Sequence, residues 1–271
     1  MNIVVQKFGG TSVASSDKRK QVAKKIALAI KEGYRVVVVV SAMGRQGEAY
    51  ATDTLLGLVG QQAPQHISNK DLDLLMACGE IISGVVMVSE LKAEGYEATC
   101  LTGGQAGIVT DESFSDARII MVKPGEVLKE LEKVPIVVVA GFQGVTQDGR
   151  VTTLGRGGSD TTAAALGVAL NAQRIDIFTD VDGVKTADPR VVEEAKTLRN
   201  ITYNEVCQLA HEGAKVIHPR AVEIAMQGNV PLRILGTFTD GDGTLVTNCA
   251  GQGESVTDIK NDRLITGITH K

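Results

Sequence analysis

Thr152 to Leu170, TTLGRGGSDTTAAALGVAL, is a glycine-rich loop that runs straight into a helix. Gly155, Gly157 and Gly158 permit backbone angles and close approaches that a Cβ would forbid. Ser159 and Asp160 are residues that favour a helix N-cap. The run from Thr161 to Leu170 is mostly Ala, Leu and Val, so a helix is expected to start there. A helix start offers unpaired N–H groups and the positive end of a dipole, which together attract an anion. Arg156 adds a forked cation suited to a carboxylate or a phosphate. The stretch is therefore expected to hold an anion, with Asp160 beside it. The plainer alternative is a structural strand-to-helix turn, which would need only one or two of these features.

Outward from that loop, elements alternate. Asn2 to Gln6 is an expected strand ending in Lys7-Phe8-Gly9-Gly10-Thr11-Ser12. Asp17 to Lys31 has helical spacing at Val22, Ile26 and Ile30, with Gly33 as a stop. Arg35 to Val40 carries five consecutive valines, a strand buried on both faces as in a parallel sheet. Arg45 to Asn69 is polar and irregular and reads as a flap. Helices are expected over Asp71 to Lys92, Pro124 to Lys133, Thr202 to His211 (opened by a Thr202/Glu205 capping box) and from His218-Pro219 to Gly228. Strands are expected at Glu97 to Leu101, Ile136 to Ala140, Arg174 to Phe178, Pro231 to Leu235 and Gly243 to Thr247. A hairpin-like piece spans Phe114 to Val122, and Asp148-Gly149 marks a hairpin turn. This βαβα alternation gives an α/β class with a mainly parallel central sheet. In such sheets the site lies beyond the carboxyl ends of the strands. The small-residue loops after Val5, Val40, Leu101, Ala140 and Phe178 are expected to converge there.

Composition narrows the function. The net charge is −4, aromatic residues are 3% and Trp is absent, so basic grooves and stacking platforms for nucleic acid are missing. Cys78, Cys100, Cys207 and Cys249 form no CxxC pair and read as thiols of a reducing compartment, with no metal site expected. No apolar run approaches the roughly 20 residues of a membrane span, and the first strand starts without a basic leader. A cytoplasmic protein with no membrane partner is expected. There is no GxxxxGK[ST], no GxGxxG, no GxSxG and no HExxH, which removes P-loop ATPases, dehydrogenases and the common hydrolases.

Phosphoryl transfer fits what remains, because it needs positioned phosphates and charge stabilisation but little covalent help. Lys7, at the end of the first strand, precedes two glycines whose N–H groups can face a phosphate. Asp160 can orient Lys7 or a bound Mg²⁺. Thr179-Asp180 and Asp182-Gly183 are expected to line a nucleotide pocket, or else to be a strand-ending turn. From their pattern alone, Glu80 and Arg118 read as solvated or structural, and His218 as a feature of a helix N-terminus.

Lys7-Phe8-Gly9-Gly10-Thr11-Ser12-Val13, Ser41-Ala42-Met43-Gly44, Gly141-Phe142-Gln143-Gly144, Thr153 to Thr162, Thr179 to Val184 and Asp188-Pro189-Arg190 resemble, in that order, the aspartate kinase members of the amino acid kinase family. The likeness covers residues 2 to about 247 and implies a three-layer αβα sandwich, the amino acid kinase fold. It implies ATP- and Mg²⁺-dependent phosphorylation of the side-chain carboxylate of L-aspartate, the first step towards lysine, threonine and methionine. It also implies the roles of residues. Lys7 would stabilise the transferring phosphoryl group, with Gly9 and Gly10 near the phosphates, and Asp160 would organise Lys7. Thr52, Glu80, Arg118, Arg156 and Ser159, with Gly157 and Gly158, would hold aspartate, Glu80 taking its ammonium and Arg118 its α-carboxylate. Ser41, Ser159, Thr179, Asp180, Lys185 and Arg190 would surround ATP.

Residues 1–247 are thus expected to be the catalytic domain. Residues 248–271, with Leu264-Ile265-Thr266-Gly267-Ile268, resemble the lead-in to an ACT regulatory pair, and either the sequence is cut short there or it is a form without the regulator. Feedback inhibition by that route is not expected, and the apolar tail strand makes a homodimer an open expectation. Two positions depart from the family pattern. Gly104 stands where a bulky aromatic is common, and Ile81-Ile82 follow Glu80 where a polar residue is usual. Two other readings stay open: a kinase of this fold acting on another small carboxylate or amino acid, and a catalytically silent nucleotide- or amino-acid-binding module.

Overall fold

The structure is a computed structural model that describes residues 1–60, 66–187, 192, 194–212 and 217–248. Its first half runs β1 (Ile3–Phe8), α1 (Gly10–Val13), α2 (Ser16–Lys31), β2 (Arg35–Val40), α3 (Thr52–Gly57), α4 (Asn69–Ala93), β3 (Ala98–Leu101), β4 (Ile108–Thr110) and β5 (Ile119–Val122). The second half runs α5 (Gly125–Lys133), β6 (Ile136–Ala140), β7 (Gln143–Val145), β8 (Val151–Thr153), α6 (Gly158–Ala169), β9 (Arg174–Thr179), β10 (Asn200–Thr202), α7 (Tyr203–His211), α8 (Pro219–Gln227), β11 (Leu232–Gly236) and β12 (Thr244–Thr247).

An eight-stranded sheet in the order β10-β12-β11-β9-β1-β2-β6-β3 forms the middle layer. Its pairs are parallel except β11 with β12. Strand alternation divides the valine run between two cores. Val37 and Val39 face one core with Ile3, Val5 and Val137, whereas Val36, Val38 and Val40 face the other with Val4 and Phe8. All five valines are fully buried, each worth roughly 1.5–3 kcal/mol relative to exposure. The first core is closed by residues of α5, α6, α7 and α8, the second by residues of α2 and α4. This is the expected three-layer αβα sandwich.

The differences are local and have physical causes. β1 continues through Lys7 and Phe8, because both find partners on β2 and β9 and Phe8 stacks on Phe178 at 4.6 Å between ring centroids. The expected irregular flap contains α3, whose Leu55 is buried. Residues Phe114 to Val122 do not fold on themselves. Ile119–Val122 pairs antiparallel with β4, inside a second sheet of order β5-β4-β7-β8 that periodicity alone did not indicate. Helix α4 is long and apolar enough to cross a membrane by length and composition, contrary to the expectation from apolar runs. Its inward face instead packs in the core and carries Asp73 and Glu80, both buried. The capping box of α7 forms as expected. The expected tail strand at 264–268 lies outside the described residues.

Candidate active site

The chain completes β1, β2, β3 and β6 on one side of the sheet before α6 carries it to β9 on the other side of β1. The order of strands therefore switches between β1 and β9, and a crevice opens at the carboxyl ends beside that switch. A cleft of about 660 Å³ lies there. It is lined by Lys7 of β1 and Gly10 of α1, by the segment after β2 with Ser41 and Arg45, and by Thr52 of α3. Glu80 of α4, Phe142 after β6 and Gly155 to Asp160 complete it. The loops after β3 and β9 contribute no lining residue, so convergence is narrower than the five strand-end loops implied.

Lys7 and Asp160 are paired, Nζ to Oδ1 at 2.7 Å, both largely shielded from solvent. The pair joins β1 to the first turn of α6. Gly10 is required at its place, since a Cβ there would sit 2.3 Å from the Ala42 carbonyl oxygen. The cap of α6 differs from expectation. Its N-cap is Gly157 in the left-handed region, φ 72°, and Ser159 and Asp160 fall in the first turn. Their side chains are committed elsewhere, Asp160 to Lys7 and Ser159 to Ser41, whose hydroxyl donates to the Ser159 oxygen at 3.0 Å. The backbone amides of Ser159 and Asp160 carry no hydrogen bond among the described residues. Two free amides, a helix start and the Lys7 ammonium stand together on the cleft, an arrangement suited to an anion.

Glu80 is 3% exposed, so it does not lie on a solvated face. Its Oε1 accepts from the Ala42 amide at 3.0 Å, while Oε2 is buried with no partner among the described residues. Burial pushes its carboxyl up to about 8, against a smaller opposing pull from the Ala42 amide. A carboxyl group in this condition calls for a cation from outside the chain.

Other expected residues scatter. Thr52 lines the cleft, and so does Arg156, exposed at its mouth. Arg118 is exposed, is absent from the lining, and gives its backbone amide to Asp111 Oδ1 at 3.0 Å. Thr179, Asp180 and Lys185 form a neighbouring group beyond β9. There the Thr179 hydroxyl donates to Asp180, and Lys185 pairs with Asp182 at 2.9 Å, holding that carboxyl below its usual range. Arg45 connects the two places, lining the cleft and reaching Asp180 at 3.2 Å. Gly9 lies beside the Lys7 ammonium, where a Cβ would stand in ordinary contact at 3.6 Å from Nζ. Arg190 lies outside the described residues.

Three features escaped the sequence reading. Asp73, fully buried, accepts from the amides and hydroxyls of both Ser115 and Thr153, tying α4 to the cleft rim and to β8. The spacing in Asp73 to Glu80, DLLMACGE, which puts Asp73 two turns before Glu80 on one face, was the available signal. Ser115 and Phe142, both lining the cleft, have positive φ of 72° and 67°, backbone strain of the kind that gathers at functional sites. His218 occupies the N-cap position of α8, yet its side chain makes no capping bond; its ring lies against Gly157 instead. Gly104, the departure in the β3 loop, is held close to Val145, since a Cβ would come within 2.6 Å of its side chain.

Residues 2–236 match the Amino acid kinase family. Aspartokinase 1 of Bacillus subtilis is 56% identical over 271 residues, covering all of this chain and 66% of that protein. The chain thus spans just under two thirds of that relative. The crystal structure of aspartate kinase from Synechocystis superposes with a TM-score of 0.79 at 39% identity, over 94% of this chain and 41% of that one. Escherichia coli aspartokinase III in complex with aspartate and ADP superposes with a TM-score of 0.78 at 30% identity, over 93% of this chain and 66% of that one.

Proposed function

The chain belongs to the amino acid kinase family, and from that premise we propose that it transfers the γ-phosphoryl group of ATP to the side-chain carboxylate of L-aspartate, giving 4-phospho-L-aspartate. One observation carries the reading. Across a single cleft, the Lys7–Asp160 pair and two free helix amides face a buried glutamate with one oxygen to spare. The first group suits a transferring phosphoryl, the second an amino acid's ammonium. Arg156, on the cleft, is the cation placed for the α-carboxylate, in preference to Arg118. Thr52 and Ser159 would complete the amino-acid side. ATP would extend from Gly9 and Gly10 past Ser41 towards Thr179, Asp180 and Lys185, with Arg190 in the same role.

The attacking group is a carboxylate, ionised at pH 7, so no general base is required. Alignment and relief of repulsion between two anions suffice. An oxygen of the aspartate side chain bonds to the γ-phosphorus as the bond from phosphorus to the ADP oxygen breaks, and the Lys7 ammonium neutralises charge on the group in flight. Among the described residues no group of three or more His, Cys, Asp or Glu gathers as a metal cage. That suits Mg²⁺ brought in on the nucleotide phosphates, with Asp160 the carboxylate available to it, where it would screen phosphate charge. The reaction would run in the cytoplasm as the entrance to lysine, threonine and methionine synthesis, and a homodimer is one assembly the apolar tail strand would allow.

The test is ATP, Mg²⁺ and L-aspartate in hydroxylamine, which traps an acyl phosphate as a coloured hydroxamate, with glutamate and N-acetylglutamate run beside it. Signal with aspartate alone is expected. Signal with another acid instead would move the substrate, and silence with every acid despite ATP binding would favour a binding module.

A further inference from the structure

The loop that carries the anion site is gripped from both sides by residues with no part in the chemistry above. On one side, Arg220 of α8 donates to the Leu154 carbonyl at 3.0 Å and to Asp116 Oδ1 at 3.3 Å. Asp116 stands so close to Gly155, φ 69°, that a Cβ there would lie 2.5 Å from Oδ1. On the other side, a Cβ on Gly157 would lie 2.3 Å from His218 Cγ and 2.5 Å from Cδ2. Gly157 in turn sets the first turn of α6. Its carbonyl accepts from the Thr161 amide at 3.0 Å and from the Thr161 hydroxyl at 3.1 Å. The residues that follow include Ser159 and Asp160, which line the cleft with Lys7, the Asp160 carboxylate paired to it.

We propose that His218 is a positioning residue for phosphoryl transfer: its ring is the wall that keeps Gly157 left-handed and so aims the Ser159 and Asp160 end of α6 at the reacting groups. The inference rests on the kinase reading of the cleft and deepens it. Ring bulk, not charge, does the positioning. Burial and Arg220 hold the imidazole below its usual range, outweighing Asp160, Asp116 and Glu223, so the ring is neutral at pH 7. Its Nδ1 has no hydrogen-bond partner among the described residues.

The test separates ring from nitrogen. His218→Phe keeps the plane and loses the nitrogens; His218→Asn keeps a donor and loses the plane. In the hydroxamate assay, His218→Phe is expected to stay within about threefold of wild-type kcat. His218→Asn is expected to lose about tenfold in kcat, with KM for MgATP little changed, as for an interaction made in the transition state. The opposite order, or two variants equal to wild type, overturns the proposal. Gly157→Ala is expected to be inactive alone and to regain part of its activity when combined with His218→Asn; no regain also overturns it. Wild-type protein that phosphorylates no acid refutes the kinase reading by itself. The clamp is then judged by melting: Gly157→Ala is expected to melt below wild type and to regain part of the loss when combined with His218→Asn, and no regain overturns it.

Discussion

Helix α4 carries two buried carboxylates, Asp73 and Glu80, two turns apart on its inward face, and they are in opposite conditions. Asp73 accepts four hydrogen bonds, from the amides and hydroxyls of Ser115 and Thr153, at 2.8–3.2 Å. Among the described residues, Glu80 accepts one bond from another residue, the Ala42 amide, and its second oxygen is buried with no partner. Burial is the same and satisfaction is not. A buried carboxylate whose lone pairs are filled from within is part of the scaffold, because any ligand would have to break those bonds. One left half-filled at the wall of a cleft, opposite a lysine, has room for a donor that the described residues do not supply. The difference teaches that burial alone does not mark a site; unfilled hydrogen-bonding capacity facing a cavity does.

The strongest way to break this comparison is at Lys7, opposite Glu80. Lys7→Ala is expected to lower turnover on the order of 10³-fold, about 4 kcal/mol in barrier, by analogy with other cations on a transferring phosphoryl group. Circular dichroism and melting should still report a folded protein, and an active, folded Lys7→Ala enzyme would sink the assignment. Next comes the scaffold carboxylate. Asp73→Ala strands four donors in the core and is expected to destabilise the protein by about 3–5 kcal/mol in urea unfolding. If it unfolds like wild type but binds aspartate poorly, the roles assigned to the two carboxylates are reversed.

Glu80→Gln should do the reverse of Asp73→Ala. It is expected to raise KM for aspartate about 100-fold, near 2.7 kcal/mol, through loss of the charge partner for the ammonium. Stability should not suffer, and its pH dependence should change. Glu80 in the folded protein keeps its proton up to about pH 8, whereas the unfolded chain releases it near 4.5. The folded state holds the extra proton between these values, so stability falls as pH rises through that window. Urea midpoints at pH 6 and pH 8 should show this decline in wild type and a smaller one in Glu80→Gln. The same proton sharpens the binding side. An arriving ammonium ionises Glu80, so aspartate binding at pH 7 should release close to one proton, roughly, read by calorimetry in buffers of different ionisation enthalpy. No release, or equal release from Glu80→Gln, would separate Glu80 from the substrate.

The smallest effect is expected at Gly104, away from the cleft. Gly104→Ala meets Val145 and should cost about 1–2 kcal/mol of stability with KM unchanged. A shifted KM there would extend the amino-acid side of the site to the β3 loop.

Much of the fold was legible because it is written in local periods. The valine run could only be a strand buried on both faces, and the Thr202/Glu205 box could only open a helix. The second sheet was not legible, because β4, β7 and β8 are three residues each, too short for alternation to register. In the site, Lys7 and the glycine loop announced themselves by composition. Glu80 did not: a mid-helix glutamate among apolar residues looks the same whether its face meets water or a dry cleft.

The sequence by itself determined the class of the fold and the glycine-rich, helix-opening character of the loop around Gly155 to Ser159. These depend on residue type and near neighbours along the chain. Only the tertiary structure decided that Gly157 and not Ser159 caps α6, that Asp73 is knotted while Glu80 is open, and that Arg156 and not Arg118 stands on the cleft. It alone brought His218, 61 positions along by number, against Gly157. Hydrogen-bond saturation and close backbone approach are properties of groups distant in sequence, and packing assigns them only once the chain has closed on itself.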